Sequence, residues 1–251
     1  MIDLHCHLLP GVDDGPETME EAVALAAHAV RSGIVRAVVT PHIHGGRYYN
    51  ELASIAADLD RFRAELERRN IPLKLGLGGE VRLDEEIIAM VMEQRVPFLG
   101  ERDGYRIMLL ELPHSHIPVG SDKFVAWLLK QKVRPMIAHP ERNKDVHIDI
   151  NRITPLVSMG CLLQVTAGSV TGNFGEPSRQ RAVQLLERGW VTILASDAHN
   201  LAYRPPELEP GRCAAAKVIG EEESWKLVRA SPLAIVDGAV AAPARAASGL
   251  A

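Results

Sequence analysis

The sequence predicts a single-domain α/β fold of seven strand–helix units, which is the organisation of an α/β barrel. Two observations lead to this prediction: short apolar runs alternate with longer runs of helical periodicity, and no linker divides the 251 residues. Strands that alternate with helices in this way indicate a parallel sheet, and α/β barrels of this length fold as one domain. We therefore expect one domain over residues 1–237 and a disordered, alanine-rich tail over residues 238–251.

The predicted strands are short runs rich in apolar and β-branched residues, and longer helical segments separate them. In chain order they cover residues 2–6, 35–40, 73–78, 106–111, 134–138, 161–166 and 191–195. Seven such units in one chain favour a barrel.

Helices are predicted between and after these strands. Over residues 17–32 the apolar side chains recur with the helical period, and Gly33 follows where a helix commonly ends. Asp84 is placed to cap a helix over residues 84–95. The other predicted helices cover residues 51–69, 122–131, 149–159, 176–188, 210–220 and 221–230.

Composition and charge exclude several classes of protein. The net charge of −4 and the pI near 6.2 argue against a general nucleic-acid binder. Three widely spaced cysteines, Cys6, Cys161 and Cys213, offer neither a disulfide framework nor a CxxC pair, which favours a reducing cytoplasm. No signal-peptide pattern is present, and no stretch reaches the roughly 18 apolar residues of a membrane helix. We therefore expect a cytoplasmic protein without membrane insertion.

Histidines and carboxylates follow the carboxyl ends of six of the seven predicted strands. In a barrel these ends converge on one face, where active sites lie. His5 and His7 lie two residues apart and share one face of their strand, so both can reach one ion. The candidate ligands are His5, His7, Asp14, His42, Glu80, Glu111, His139, Asp197 and His199.

This donor set predicts more than one metal ion. Nitrogen and oxygen ligands without thiolate suit Zn, Mn or Fe better than Cu(I). Nine candidates exceed one tetrahedral site, so two or three ions that share bridging carboxylates are the simplest interpretation. Pairs of metal ions in such sites hydrolyse phosphoesters. The sequence therefore predicts a metal-dependent phosphoester hydrolase.

Several neighbouring residues are assigned less firmly. Asp13 competes with Asp14 as a ligand, because spacing alone does not separate two adjacent carboxylates. Glu141 either supports a ligand or is solvated. We expect Cys6 to pack in the core, since it points opposite to the histidines on either side of it. Among the other histidines, we expect His28 to be structural, His147 to lie on the surface, and His114 and His116 to line the pocket rim.

Arginines lie close to the predicted ligands. Arg142 follows His139 by three residues, Arg204 follows His199 by five, and Arg47 lies in the loop after the second strand. A guanidinium group binds two phosphate oxygens at once, which suits a phosphoester substrate. A surface salt bridge is the alternative for each of them, and it is more plausible for Arg47 than for Arg142.

Taken together, these segments resemble the polymerase-and-histidinol-phosphatase (PHP) superfamily. Within it they are similar to the bacterial tyrosine phosphatases that are encoded with capsule and exopolysaccharide genes. The resemblance covers residues 1 to about 210, and a single HxH would not be specific enough to carry it. The matching segments are MIDLHCH at 1–7, PGVDDGP at 10–16, TPH at 40–42, GEVR at 79–82, LE at 110–111, HPERN at 139–143, TAGS at 166–169 with Gly172 and Gly175, and ASDAHN at 195–200 with Arg204.

The resemblance implies a distorted, TIM-like (β/α)7 barrel with three metal ions, often manganese. It implies that the nine candidates above are the ligands and that Arg142 and Arg204 contact phosphate. The implied substrate is the phosphotyrosine tail of a bacterial tyrosine autokinase that controls polysaccharide export. Two features depart from the family pattern: His44, and the loop of His114, Ser115 and His116, which puts the substrate preference in doubt.

Three other functions remain open from the sequence alone. A PHP phosphatase could act on a small molecule such as histidinol phosphate. A nuclease of the same fold is disfavoured by the acidic net charge. A non-catalytic metal-binding regulator is disfavoured because Arg142 and Arg204 are both present beside the ligand set.

Overall fold

The structure, a computed structural model, describes residues 1–238, and the rest of the predicted tail lies outside the described residues. The seven predicted strands are all found, with bounds within two residues of the prediction, and β3, β5 and β6 are additional. The strands are β1 (Ile2–Cys6), β2 (Arg36–Val39), β3 (His42–Ile43), β4 (Lys74–Leu77), β5 (Glu80–Arg82), β6 (Gly100–Arg102), β7 (Tyr105–Glu111), β8 (Val133–Ala138), β9 (Leu162–Thr166) and β10 (Ile193–Ala195).

The predicted helices are found in the predicted order, and α5, α7 and α11 are additional. The first begins after Thr18, whose side chain accepts a hydrogen bond from the backbone of Glu21 while the Glu21 carboxylate bonds back to the cap. The α-helices are α1 (Met19–Arg31), α2 (Leu52–Arg68), α3 (Glu86–Met92), α4 (Ser121–Lys130), α5 (Lys144–Ile148), α6 (Thr154–Ser158), α7 (Ala167–Thr171), α8 (Glu176–Glu187), α9 (Glu209–Ile219), α10 (Glu221–Val228) and α11 (Ala230–Val236).

The helix predicted over residues 149–159 is wrong as a continuous α-helix. Its first part is a 3-10 turn, Ile150–Ile153, and only Thr154–Ser158 is α-helical. Pro155 explains the change, because a proline ring clashes with the carbonyl group four residues before it and has no N–H to donate. Proline is tolerated in the first turn of a helix, so α6 starts directly before it.

The strands form two mainly parallel sheets. One has the order β1-β2-β4, and the other has the order β10-β9-β8-β7-β5-β3, with β6 antiparallel to β7. The unpredicted β3 and β5 restart the paths of β2 and β4 after short interruptions that contain Pro41, which cannot donate to a ladder, and Gly78 and Gly79. The parallel register places His42 directly beside Glu80 where the two strands restart.

The α/β class and the parallel strand order are confirmed, but the two sheets are not joined by a continuous ladder between β1 and β10. Two backbone hydrogen bonds cross this boundary, from His7 N to Ala198 O and from Asp197 N to His5 O, each 2.8 Å long. Below them the buried carboxylate of Asp3 replaces a ladder, because it accepts bonds from Ser196 N at 3.0 Å and Ser196 Oγ at 2.5 Å. Asp3 thus links β1 to the end of β10, next to His5 and Asp197.

Two apolar clusters support the strands. The larger, outer cluster includes the buried apolar residues of α1 to α10, and the smaller, inner cluster consists mainly of strand residues. Leu4, Leu109 and Met136 belong to the inner cluster, and Ile235 of α11 closes it near the amino ends of the strands. Cys6 packs in the outer cluster, as predicted. No helix within residues 1–238 is long and apolar enough to cross a membrane.

Candidate metal centre

The structure brings the nine predicted ligands together at the carboxyl ends of the strands. Seven of them are buried, whereas His42 is half-buried and Asp14 is exposed. Their donor atoms fall into four overlapping groups, and the atoms within each group lie within 4.8 Å of one another. The groups are His7, Asp14, His42 and His199; His5, His7 and Glu80; His5, His139 and Asp197; and His42, Glu80 and Glu111.

Glu80 lies at the centre of this cluster. Its Oε2 is 2.9 Å from His42 Nδ1 and 3.3 Å from His5 Nε2, and its Oε1 is 2.9 Å from His139 Nε2. Among the described residues no group satisfies the buried Oε2 in hydrogen-bonding geometry. Metal–ligand bonds of about 2.0–2.2 Å place neighbouring donor atoms roughly 3 Å apart. The donor set and its spacing therefore fit divalent ions shared through Glu80.

Asp197 connects the ligand cluster to the two predicted arginines. Its Oδ1 lies 3.2 Å from His5 Nε2, and its Oδ2 accepts a hydrogen bond of 2.5 Å from Arg142 Nη1 and forms an ion pair with Arg204 Nη2, also at 2.5 Å. Its backbone has a φ of 52°, and that of His139 has a φ of 32°. Residues other than glycine rarely adopt this left-handed region, and such strain collects at functional sites. The fold thus holds both ligand-bearing segments in unfavourable backbone conformations.

The geometry separates Asp13 from Asp14. Asp14 Oδ1 lies 3.3 Å from His42 Nε2 and 3.4 Å from His199 Nε2, so it faces the cluster. Asp13 instead accepts a hydrogen bond of 2.7 Å from His7 Nδ1 and another from the backbone of His42. A carboxylate in this position fixes the orientation of a ligating imidazole and leaves its other nitrogen free.

Sequence reasoning missed Gln164, which orients two of the histidines. Its Oε1 lies 2.9 Å from His5 Nδ1 and accepts the backbone N–H of His139 at 3.1 Å. The His5 ring is therefore assigned a proton on Nδ1, which directs Nε2 into the cluster. The available signal was a single amide side chain within the apolar strand β9, but that pattern does not identify a function.

Charges within the site keep its carboxylates ionised. Burial favours the neutral form of Glu80, but the positive charges of His5 and His42 outweigh it and lower the pKa of Glu80 well below its usual value. The pKa of Asp197 is likewise lowered, because His5 and Arg204 outweigh its burial. Both groups are thus in the anionic form that binds cations.

The imidazoles divide into two kinds. Burial, together with the charge of Arg142, lowers the pKa of His139 to about 4, and burial also lowers the pKa of His199 to about 4. Burial acts in the same direction on His42, but the neighbouring Glu80 raises its pKa to about 9. At neutral pH the first two rings are therefore neutral, which is the protonation state that binds a metal ion.

An open cavity of about 240 Å³ gives access to the cluster. Several predicted ligands, including Asp14, His139 and Asp197, line it together with Arg142 and Arg204. The ligands and the cations thus face the same space. This arrangement suits an anionic group that is bound by the guanidinium groups against the metal ligands.

Comparison with known proteins identifies the family. Residues 1–237 match the family described as capsular polysaccharide synthesis, CpsB/CapC. This chain belongs to the CpsB/CapC family. The tyrosine-protein phosphatase YwqE of Bacillus subtilis (strain 168) is 31% identical over 233 residues, which are 93% of this chain and 91% of that protein. The putative tyrosine-protein phosphatase CapC of Staphylococcus aureus is 32% identical over 205 residues, 82% and 79% of the two chains.

A solved structure supports the same relationship. It comes from work on YwqE from Bacillus subtilis and CpsB from Streptococcus pneumoniae, which are described there as unique metal-dependent tyrosine phosphatases. It matches this chain with a TM-score of 0.87 at 30% identity and covers 95% of this chain and 96% of the other. The predicted resemblance to capsule-locus tyrosine phosphatases is confirmed.

Of the two histidines that were predicted to line the pocket rim, only His114 lines the cavity. His114 lines the cavity and stacks on His139, with ring centroids 5.5 Å apart, and its Nε2 lies 3.5 Å from Glu111 Oε1. His44, for which the family pattern implied no role, also lines the cavity. His116 contacts the hydroxyl group of Ser115 on the outer side of the loop. His114 thus lies against two predicted ligands.

Two histidines that we expected outside the site do lie away from it. On α1, His28 Nε2 is 2.7 Å from a carboxylate oxygen of Glu207, which links the helix to the loop after β10. The surface placement of His147 is wrong: this side chain is half-buried and bonds to the carbonyl oxygen of Glu141 at 2.7 Å.

Glu141 itself is buried rather than solvated, and its carboxylate accepts hydrogen bonds from Thr166 N and Ser169 Oγ.

Proposed function

We propose that this CpsB/CapC chain is a metal-dependent protein tyrosine phosphatase in the cytoplasm that dephosphorylates a bacterial tyrosine autokinase of polysaccharide export. One observation carries the proposal: Asp197 faces the imidazoles with one oxygen and binds Arg142 and Arg204 with the other. A phosphoryl group in the cavity would meet both the ligand cluster and the guanidinium pair. The names of the relatives YwqE and CapC support phosphotyrosine as the substrate.

The proposed ligands hold two or three divalent ions, with manganese as the first choice and iron or zinc as alternatives. They are His5, His7, Asp14, His42, Glu80, Glu111, His139, Asp197 and His199. Bound divalent ions supply a nucleophilic water at neutral pH and neutralise charge on phosphoryl oxygens. We propose further that the two sheets act as one distorted seven-stranded barrel, with Asp3 bridging the gap between β1 and β10.

The chain's own residues prepare the site in three ways. Asp13 and Gln164 fix the rings of His7 and His5, so that their donor atoms point inward. The guanidinium groups of Arg142 and Arg204 bind the non-bridging oxygens of the substrate and stabilise the charge that develops on them. The leaving tyrosinate needs little protonation, because the pKa of its conjugate acid is about 10.

The surroundings of the three cysteines argue against a cysteine nucleophile. Burial raises the pKa of the Cys6 thiol well above its usual value and that of Cys161 to about 12, so neither thiol ionises at neutral pH. Cys213 lies on α9, where it contacts Glu209, and its pKa is also raised. Attack by water without a phosphoenzyme is therefore the proposed route.

A comparative assay tests the proposal. Phosphotyrosine peptide, histidinol phosphate and an oligonucleotide are each incubated with the full chain, once with Mn²⁺ and once with a chelator. We expect hydrolysis of the peptide alone, and only with the metal present. Preference for histidinol phosphate would favour the small-molecule phosphatase, and metal binding without any turnover would favour the non-catalytic regulator.

A further inference from the structure

One aromatic ring lies against both of the predicted phosphate-binding arginines. The guanidinium carbon of Arg142 is 4.5 Å from the centroid of the Phe174 ring, and that of Arg204 is 5.8 Å from the same centroid. The three side chains come from different elements: the turn after β8, the loop after β10 and the loop after α7. A cation within about 6 Å of an aromatic face is attracted by the ring quadrupole. Phe174 therefore contacts both cations at once.

We propose that Phe174 is a positioning residue that holds the Arg142 and Arg204 guanidinium groups as a pair for the substrate phosphoryl group. This inference rests on the proposed function, because the phosphate-binding role of the arginines is part of that proposal. In this proposal Phe174 acts on the substrate only through the two arginines.

Holding the two guanidinium groups side by side is unfavourable, for an electrostatic and an entropic reason. Both guanidinium groups bond to the same oxygen of Asp197, so two positive charges lie close together and share one anion. Each long side chain also loses rotamer freedom when it is held in one orientation. An additional carboxylate would hold the cations but would compete with phosphate for them. A neutral ring attracts both cations without neutralising them, which leaves their charge available to the substrate.

The loop around Phe174 is shaped to present the ring. A Cβ atom on Gly168 would lie 3.0 Å from Phe174 Cε2, so the ring packs directly on the backbone at that glycine. Asn173 N donates to Gly168 O at 2.8 Å, and Gly172 ends α7 with a φ of +93°. Within the described residues Phe174 is not among the half-buried side chains that pack on either apolar core. Besides the backbone at Gly168, its ring contacts the two arginines.

The chain offers a matched control for this contact. The guanidinium carbon of Arg106 lies 4.7 Å from the ring centroid of Phe98, which is a similar pair near the amino end of β7. Phe98 does pack against the core, so its replacement tests the effect of lost stability without lost support for the arginines. Phe98→Leu and Phe174→Leu both remove an aromatic face and keep an apolar side chain.

The experiment measures phosphate binding and turnover in the full, Mn²⁺-loaded chain. The inhibition constant of inorganic phosphate is measured against a phosphotyrosine peptide, and direct phosphate binding is measured by calorimetry. Phe174→Leu is expected to weaken phosphate binding by about three- to tenfold and to raise KM similarly, the range given by one or two cation–π contacts. Phe174→Tyr, which keeps the ring, should restore binding, and Phe98→Leu should leave it unchanged.

A double-mutant cycle tests whether Phe174 acts through an arginine. In Arg142→Ala the additional loss caused by Phe174→Leu should be smaller than in the wild type, because one of the contacts is already missing. The inference is overturned if Phe174→Leu binds phosphate as the wild type does, or no more weakly than Phe98→Leu. Phe174→Met replaces the leucine variant if that one does not fold. A wild type that binds phosphate but hydrolyses no phosphotyrosine contradicts the proposed function and leaves this comparison decisive for Phe174.

Discussion

The two ends of the same strands differ in what they bury. Toward their amino ends the strands bury an apolar cluster, including Ile2, Ile107 and Ile193, against Ile235 of α11. At their carboxyl ends they bury imidazoles and carboxylates instead. Two of the residues there, Asp197 and His139, also have strained backbone conformations. Burial of apolar side chains stabilises the fold, whereas burial of charges is unfavourable unless they are paired. The apolar region therefore stabilises the fold, whereas the charged region is the one in which we propose that the reaction takes place.

Metal removal should have the largest effect and should act on one region only. We expect exhaustive chelation to abolish phosphotyrosine hydrolysis and Mn²⁺ to restore it, because the proposed reaction depends on the ions that the clustered ligands would hold. Metal analysis of gently purified protein should give about two or three ions per chain. Far-UV circular dichroism should be nearly unchanged by chelation, since the apolar cluster is separate. Full turnover after chelation would contradict the proposed metal site.

Substitution of single ligands should be almost as severe. Asp197→Ala and His5→Ala should each abolish turnover, because both side chains lie in the buried cluster. His28→Ala and His147→Ala should keep it, since these residues bond to Glu207 and to a carbonyl group outside the cluster. His147→Ala should lower the melting temperature more than His28→Ala. Equal loss of activity in all four variants would show that the histidines have been sorted wrongly.

Loss of one of the two arginines proposed to bind phosphate should leave measurable activity. Arg142→Ala should lower kcat by roughly one hundredfold or more if the guanidinium group acts mainly on charge in the transition state. Arg106→Ala, a replacement at the opposite end of the strands, is the matched control and should leave kcat unchanged. A rise in KM with unchanged kcat for Arg142→Ala would instead mean that this residue binds substrate and transition state equally.

The apolar region should respond in the opposite way. Ile107 is fully buried in the inner cluster, four residues before the predicted ligand Glu111 on β7. Ile107→Ala should lower the free energy of unfolding by about 2–5 kcal/mol. Chemical denaturation measures this loss of stability. Turnover at a low temperature, at which the variant remains folded, should give an unchanged kcat. A large fall in kcat at full folding would mean that packing in the inner cluster sets the metal geometry.

The same contrast explains how much could be predicted from the sequence. Each proposed ligand lies at or just past the end of a predicted strand or in the glycine-bounded turn after the first strand, so strand periodicity and the convergence of strand ends were enough to group them. The interrupted strands were missed because Pro41 and the Gly78–Gly79 pair break the pattern of alternation. Gln164 and Asp3 were missed because the position of a polar side chain within a short strand does not show which residues of the neighbouring strands it contacts. Phe174 lies in a loop, and its partners depend on tertiary structure.

The smallest effect on turnover is expected from replacing all three cysteines. The residues six positions after Cys6, Cys161 and Cys213 are Val12, Ala167 and Ile219, so none has the arginine that activates a cysteine phosphatase. The first two thiols are buried away from the cavity, and the Cys6 Sγ lies 3.3 Å from the carbonyl oxygen of Val38, to which a serine hydroxyl can also donate.

A triple serine variant should therefore bind metal and hydrolyse phosphotyrosine peptide at a rate close to that of the wild type. Its melting temperature should be lower, because two hydroxyl groups replace thiols in apolar surroundings. The control is the Cys213→Ser single variant, which changes an exposed thiol and should match the wild type in both respects. A folded, metal-loaded triple variant without turnover, or a cysteinyl phosphate trapped in the wild type, would contradict direct attack by water.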